Sequence, residues 1–149
     1  MVRLQLDVEG ELVTVNLGRV INAGYAGRDE ADVQAHIDEL LKDDVIAEAP
    51  DSVPVTYQVS SYTLLTDPGE IQVVGEGNSG EAEYGLLVTG GETYVVAASD
   101  HTDRDLEKHG IQKAKQIAPN VISADAWRLS DVRDHWDELQ LRAYTSVDG

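Results

Sequence analysis

Residues 81–100, "EAEYGLLVTGGETYVVAASD", decide the fold. Gly90-Gly91 signals a two-residue hairpin turn, because the favoured turn needs positive φ at both central positions and glycine adopts it without steric cost. The flanking segments are rich in β-branched and aromatic residues, so both read as strands. Side chains two apart on a strand share a face, which points Glu81 and Glu83 the same way. A symmetric turn centred between the two glycines sets Glu81 directly opposite Asp100, and directly opposed residues also share a face. Three carboxylates are therefore expected to converge.

Opposed like charges destabilise a sheet, and withdrawing them from water costs more. A divalent cation resolves that conflict: carboxylate oxygens with waters completing the shell suit Mg²⁺, Mn²⁺ or Ca²⁺, leaving positions for substrate oxygens and Lewis-acid chemistry on a carbonyl. The same spacing also suits the exposed face of an edge strand in an acidic protein, and a turn shifted by one residue would flip Asp100 to the other side.

Working outward, "VRLQLDVEGELVTVNL" alternates apolar and polar residues about Glu9-Gly10 and predicts a second hairpin. From Arg28 to Asp43 the pattern turns helical, with Asp29 as N-cap, Asp32 in a box-like position, and Val33, Ile37, Leu40 and Leu41 at helical spacing. Pro50 and Pro54 lead into the β-rich "VTYQVSSYTLL", and "TDPGE" is a turn before "IQVVG". Thr102 to His109 predicts a short helix stopped by Gly110, with Thr102 and Asp105 as its capping pair, and Ile111 to Ala118 another stopped by Pro119. The tail from Trp127 reads as a helical turn followed by a last strand. The expected class is α+β, mostly β, in a single domain over residues 1–149.

The chain carries 28 Asp and Glu against 11 Lys and Arg, four of them lysine, with no cysteine and no Phe. Disulfides and cysteine-based zinc sites are excluded, so a metal would be held by oxygen or histidine ligands. Phosphate neutralisation, and with it nucleic-acid binding, is disfavoured. Acid spread along the whole chain is the composition expected of a halophilic surface, where salt screens self-repulsion. No apolar run is long enough for a signal peptide core or a membrane span, and the expected location is the cytoplasm.

"SDHTDRDLE" at residues 99–107, preceded by "GEAE" at 80–83, resembles the motifs of the fumarylacetoacetate hydrolase superfamily. Together with "AGRD", "VTYQVSSYTLLT", "EIQVVGEGNSGEAE" and "DHWDEL", the chain looks most like an uncharacterised prokaryotic branch of it. The resemblance implies a β-roll with a few short helices and a divalent metal, Mg²⁺ or Mn²⁺/Ca²⁺, on Glu81, Glu83 and Asp100. It implies catalytic roles for His36 and Glu39 of "HIDE", a spacing that also makes them neighbours on a helix. Lys115 of "KAKQIAP", with Lys113 in reserve, would meet substrate oxygens; Tyr57, Ser60 and Arg104 would line the substrate pocket. Arg104 could equally form a local salt bridge, and Tyr57 could serve core packing. The implied activity is hydrolysis or decarboxylation at a C–C bond of a small anionic dicarbonyl or 2-oxo acid, and an unpaired strand edge around residues 139–147 would favour a homodimer. Against the superfamily pattern the chain reads as short at its C-terminus, which leaves a catalytically inactive structural or interaction subunit as the alternative. Asp103, Asp105 and His101 read as structural, Trp127 and Trp136 as core, and His109 and His135 as surface.

Overall fold

The computed structural model describes residues 1–144 and 146. The first alternating segment folds as expected: β1 (Val2–Val8) and β2 (Glu11–Leu17) form an antiparallel hairpin. Glu9 (φ 55°) and Gly10 (φ 87°) make its turn. β3 (Val20–Gly24) pairs instead with β4 (Val55–Val59), with Asn22 opposite Tyr57.

Between β3 and β4 lies α1 (Glu30–Lys42), which buries Val33 and Ile37. The Asp29 carboxylate caps it, accepting from the amides of Ala31 (2.8 Å) and Asp32 (3.4 Å). A 3₁₀ turn (Ser61–Thr63) leads into β5 (Leu64–Thr66), followed by β6 (Asn78–Ser79).

β7 (Ala82–Thr89) and β8 (Glu92–Ser99) are the hairpin about Gly90 (φ 60°) and Gly91 (φ 86°), in the expected register: Thr89 faces Glu92 and Ala82 faces Ser99. β9 (Thr102–Asp103) leads into α2 (Arg104–Ile117), which is interrupted at Gly110, where the sequence places the break. β10 (Asn120–Arg128), α3 (Leu129–Val132) and a 3₁₀ turn (Arg133–Glu138) follow.

The principal sheet runs β2-β1-β10-β8-β7, with β5 also paired to β10, and it curls into a half-barrel. The architecture is thus α+β with strands in the majority. β10 is its centre, parallel to β1 and β5 and antiparallel to β8. Its register against β8 shifts between Ile122 and Ala126. There the Ser123 hydroxyl accepts from the Ala97 amide (3.2 Å) and donates to the Asp125 carbonyl (2.6 Å), replacing backbone partners that the bulge removes.

The core lies on the concave face: Leu4, Leu6, Val8, Val15 and Leu17 from the first hairpin meet Leu87, Tyr94, Val96, Ile122 and Ala126. Along β7 that face descends from Leu87 through Gly85 to Glu83, opposite Tyr94, Val96 and Ala98. A Cβ at Gly85 would stand 2.9 Å from Val96 Cγ2, so glycine is what allows the two strands' inner faces to close there.

Five expectations need correction. Asn120–Arg128 is a strand that the sequence reading passed over. "IQVVG", which the turn before it and its β-branched content mark for a strand, has no strand partner among the described residues, and Val74 is 95% exposed. α2 is capped by Asp103, whose carboxylate accepts from the amides of Asp105 (2.9 Å) and Leu106 (3.1 Å). Thr102 is instead buried in β9, donating to the Asp100 carbonyl at 3.0 Å, and Asp105 pairs with Lys108. Trp127 is not core, because it lies on the convex face of β10, 47% exposed; Trp136 packs edge-on against Tyr84. The last strand is absent over 139–144, and the remainder of that tail lies largely outside the described residues.

Candidate functional site

The polar end of the concave face opens on a cavity of about 1430 Å³ whose lining includes Glu81, Glu83, Asp100, Arg104, Glu107 and Lys115. Glu81 and Asp100 sit just past the ends of β7 and β8, and the Asp100 amide donates to the Glu81 carbonyl at 3.1 Å. The hairpin register therefore brings these two residues opposite one another, as the diglycine turn requires.

Both oxygens of Asp100 are engaged. Oδ2 accepts from Lys115 Nζ and Oδ1 from Asn22 Nδ2, each at 2.5 Å. Asn22 Nδ2 also donates to Asn120 Oδ1 (3.2 Å), and buried Asn120 donates onward to Thr63 Oγ1 (2.9 Å). The start of β10, the 3₁₀ turn and β3 thus hold Asp100 in one orientation. Glu81 pairs with the Arg104 guanidinium, whose Nη1 also donates to Glu107 Oε2 at 2.8 Å. Lys115 Nζ lies 3.9 Å from Glu107 Oε1.

Glu83 differs from its neighbours. Although its side chain reaches solvent, its carboxyl is held above the usual range, first by desolvation, then by the charges of Asp100 and Glu81, with Lys115 opposing. Among the described residues it has no hydrogen bond or ion pair to a side chain. At this end four carboxylates (Glu81, Glu83, Asp100, Glu107) stand against two cations (Arg104, Lys115), an excess of two negative charges; Asp32 and Arg19, also in the lining, offset one another.

Among the described residues, no three His, Asp or Glu side chains are close enough together to enclose a metal ion. The residue types nevertheless suit a hard dication: Glu81, Glu83 and Asp100 are oxygen donors, Glu83 has no hydrogen bond or ion pair to a described side chain, and the six side chains carry an excess of two negative charges.

His36 and Glu39 are adjacent on α1, with His36 Nδ1 3.9 Å from Glu39 Oε2, and both are exposed. His36 lines the cavity beside Tyr25, their ring centroids 6.3 Å apart; Glu39 is not among the lining residues. Tyr57 also lines it. Burial first, and then the Glu107 charge, raise the Tyr57 phenol. Burial followed by Tyr57 and Glu107 raise that of Tyr25, with Lys115 opposing. Both phenols are therefore protonated donors at neutral pH. Ser60 is elsewhere: it lines a separate, smaller pocket with Gln58, Tyr62 and Gln116, and its carbonyl accepts from Thr63. Lys113 is exposed, which leaves Lys115 as the cavity lysine.

Glu107, Asn22, Asn120 and Tyr25 were not anticipated. For Glu107 a signal existed: Arg104, Glu107, Ile111 and Lys115 recur at helical spacing and form the stripe of α2 that faces the cavity.

His101 carries a pH dependence. It is buried, Nδ1 lies 3.2 Å from Ser99 Oγ, and Nε2 has no partner among the described residues. Desolvation lowers its pKa below the ordinary value, against the charges of Asp100 and Glu81. Above about pH 6.5 the ring is neutral folded or unfolded; below it the unfolded chain takes a proton that the native state resists, so stability falls as pH falls. The urea midpoint is expected to drop between pH 7.5 and 5.5, and to drop less in His101→Gln.

No curated protein and no solved structure shows significant similarity to the chain. Glu81, Glu83, Asp100, Arg104, Glu107 and Lys115 all fall within residues 23–149, the span that matches the family model described as Protein of unknown function (DUF2848), and the chain belongs to that family.

Proposed function

We propose that the protein is a divalent-metal-dependent hydrolase or lyase acting on a C–C bond of a small dicarbonyl or 2-oxo acid, of the fumarylacetoacetate hydrolase type. The observation that carries this reading is the excess of two negative charges among Glu81, Glu83, Asp100 and Glu107 against Arg104 and Lys115 in the lining of one cavity. Glu81, Glu83 and Asp100 would hold Mg²⁺, or Mn²⁺ or Ca²⁺. Such a cation supplies Lewis-acid stabilisation of an enolate when bound. Lys115 and Arg104 attract an anionic substrate into the cavity, and the Tyr25 and Tyr57 phenols donate hydrogen bonds to its oxygens. His36, supported by Glu39, takes a proton from water in hydrolysis or gives one to the enolate carbon after decarboxylation.

Calorimetric titration with Mg²⁺ tests the reading, with Glu83→Gln beside the wild type. The wild type is expected to bind and the variant to lose binding, while the variant gains stability at neutral pH because an uncompensated charge has been removed. No binding by the wild type at millimolar Mg²⁺ would sink the metal site.

A second reading, a non-catalytic structural or interaction subunit, is favoured by the closed pairing of Asp100 with Lys115 and Asn22, which satisfies that carboxylate without a ligand. The chain's acidity, 28 Asp and Glu against 11 Lys and Arg, supports a place in a salt-rich cytoplasm. The exposed convex-face residues Tyr84, Leu86 and Val88 on edge strand β7 support a homodimer.

A further inference from the structure

We propose that Glu107 is a positioning residue that couples two ligands: it keeps Arg104 and Lys115 aimed into the cavity when a divalent cation takes Glu81 and Asp100, so that the cation strengthens binding of a small carboxylate. This inference rests on the metal reading above.

The two cationic side chains now neutralise the very carboxylates that would serve a metal. Lys115 is on Asp100 at 2.5 Å, and Arg104 is on Glu81. Were Glu81 and Asp100 to hold a dication, Lys115 and Arg104 would lose these partners and be repelled by its charge, and without another anchor they would turn away. Glu107 supplies the anchor. Its side chain is only 5% exposed, it accepts from Arg104 at 2.8 Å, and its other oxygen is 3.9 Å from Lys115 Nζ.

The Arg104 guanidinium is already forked between Glu81 and Glu107, so losing the first leaves the second in place. Lys115 needs only to shorten an existing approach. With the dication bound the six side chains would be neutral overall, and Arg104 and Lys115, released from Glu81 and Asp100, would be available to a small anion. The protonated phenols of Tyr25 and Tyr57, both under the influence of the Glu107 charge, complete its donor set. Because coupling between two bound ligands is reciprocal, the anion tightens the cation by the same factor.

The test titrates pyruvate into the protein with and without saturating Mg²⁺, following the pyruvate methyl line width by NMR. In the wild type Mg²⁺ is expected to tighten pyruvate about tenfold. Glu107→Gln should weaken Mg²⁺ binding, because it removes one of the four carboxylates and leaves Arg104 and Lys115 to Glu81 and Asp100, and the coupling measured at saturating Mg²⁺ should fall below about twofold. Coupling retained in a folded Glu107→Gln overturns the inference. Should that variant fail to fold by circular dichroism, Glu107→Asp, which keeps the charge but withdraws it by one methylene, is expected to lose most of the coupling, and retention overturns the inference equally. Mg²⁺ binding by the wild type with no effect on pyruvate overturns this inference alone. Absence of Mg²⁺ binding overturns it together with the metal site.

Discussion

Lys115→Met is expected to cost about 3 kcal/mol of folding stability, measured by urea denaturation at pH 7. The lysine side chain is 8% exposed and stands between Asp100 at 24% and Glu107 at 5%. Removing its charge strands two carboxylates in a region of low water access, and breaking a buried pair costs about 3–5 kcal/mol. The lower end applies because Asn22 still donates to Asp100 and Arg104 to Glu107. Adding Asp100→Asn to Lys115→Met should recover more than half the loss, since the stranded charge is then gone. Lys108→Met is the control: its pair with Asp105 is 48% and 79% exposed, and the change should stay within about 0.5 kcal/mol. Equal effects of the two lysine substitutions would show that burial at Lys115 contributes nothing.

Leu6→Ala should cost about 3 kcal/mol or more. Leu6 is fully buried on β1, between β2 and β10, in a core that contains no phenylalanine and is built almost wholly of aliphatic residues. Its truncation removes transfer free energy and leaves a void that paired strands on either side cannot collapse to fill. Against a typical total of about 5–15 kcal/mol, that is a large fraction. Leu12→Ala, at a side chain 71% exposed on β2, should stay within about 0.5 kcal/mol. A Leu6→Ala midpoint matching that of Leu12→Ala would contradict the assigned core.

What the sequence made legible was local. Glu9-Gly10 and Gly90-Gly91 announce two hairpins because positive φ is a backbone requirement that few residues meet, and the second turn fixes Glu81 against Asp100. Asp29 and the Val33/Ile37 spacing announce α1. What stayed hidden was long-range. β10 follows Pro119 and carries its bulge at residues 123–125, so its alternation is broken, and its parallel partners β1 and β5 are distant in sequence. "IQVVG" has strand composition but no neighbour to pair with, and composition alone does not supply one.

The site shows the same division. Its hairpin carboxylates were readable from turn geometry, and Lys115 came from the resemblance. Glu107 looked like one more surface acid in an acidic chain, and only the approach of α2 to the sheet buries it. Asn22 and Asn120 were silent because an amide becomes informative only once its partners are known.

The diglycine turn also works as an index mark for the whole concave wall. Counting in twos from it, one passes a leucine of the core, a glycine at the point of closest strand approach, then Glu83 and Glu81. Lengthening that turn by a single residue on one side would slide Tyr84 and Leu86 inward and carry both acids out. Leu87 would leave the core and Glu81 and Glu83 would leave the anionic site in one event. One turn thus sets the phase of this strand's core residue and of its two acids together.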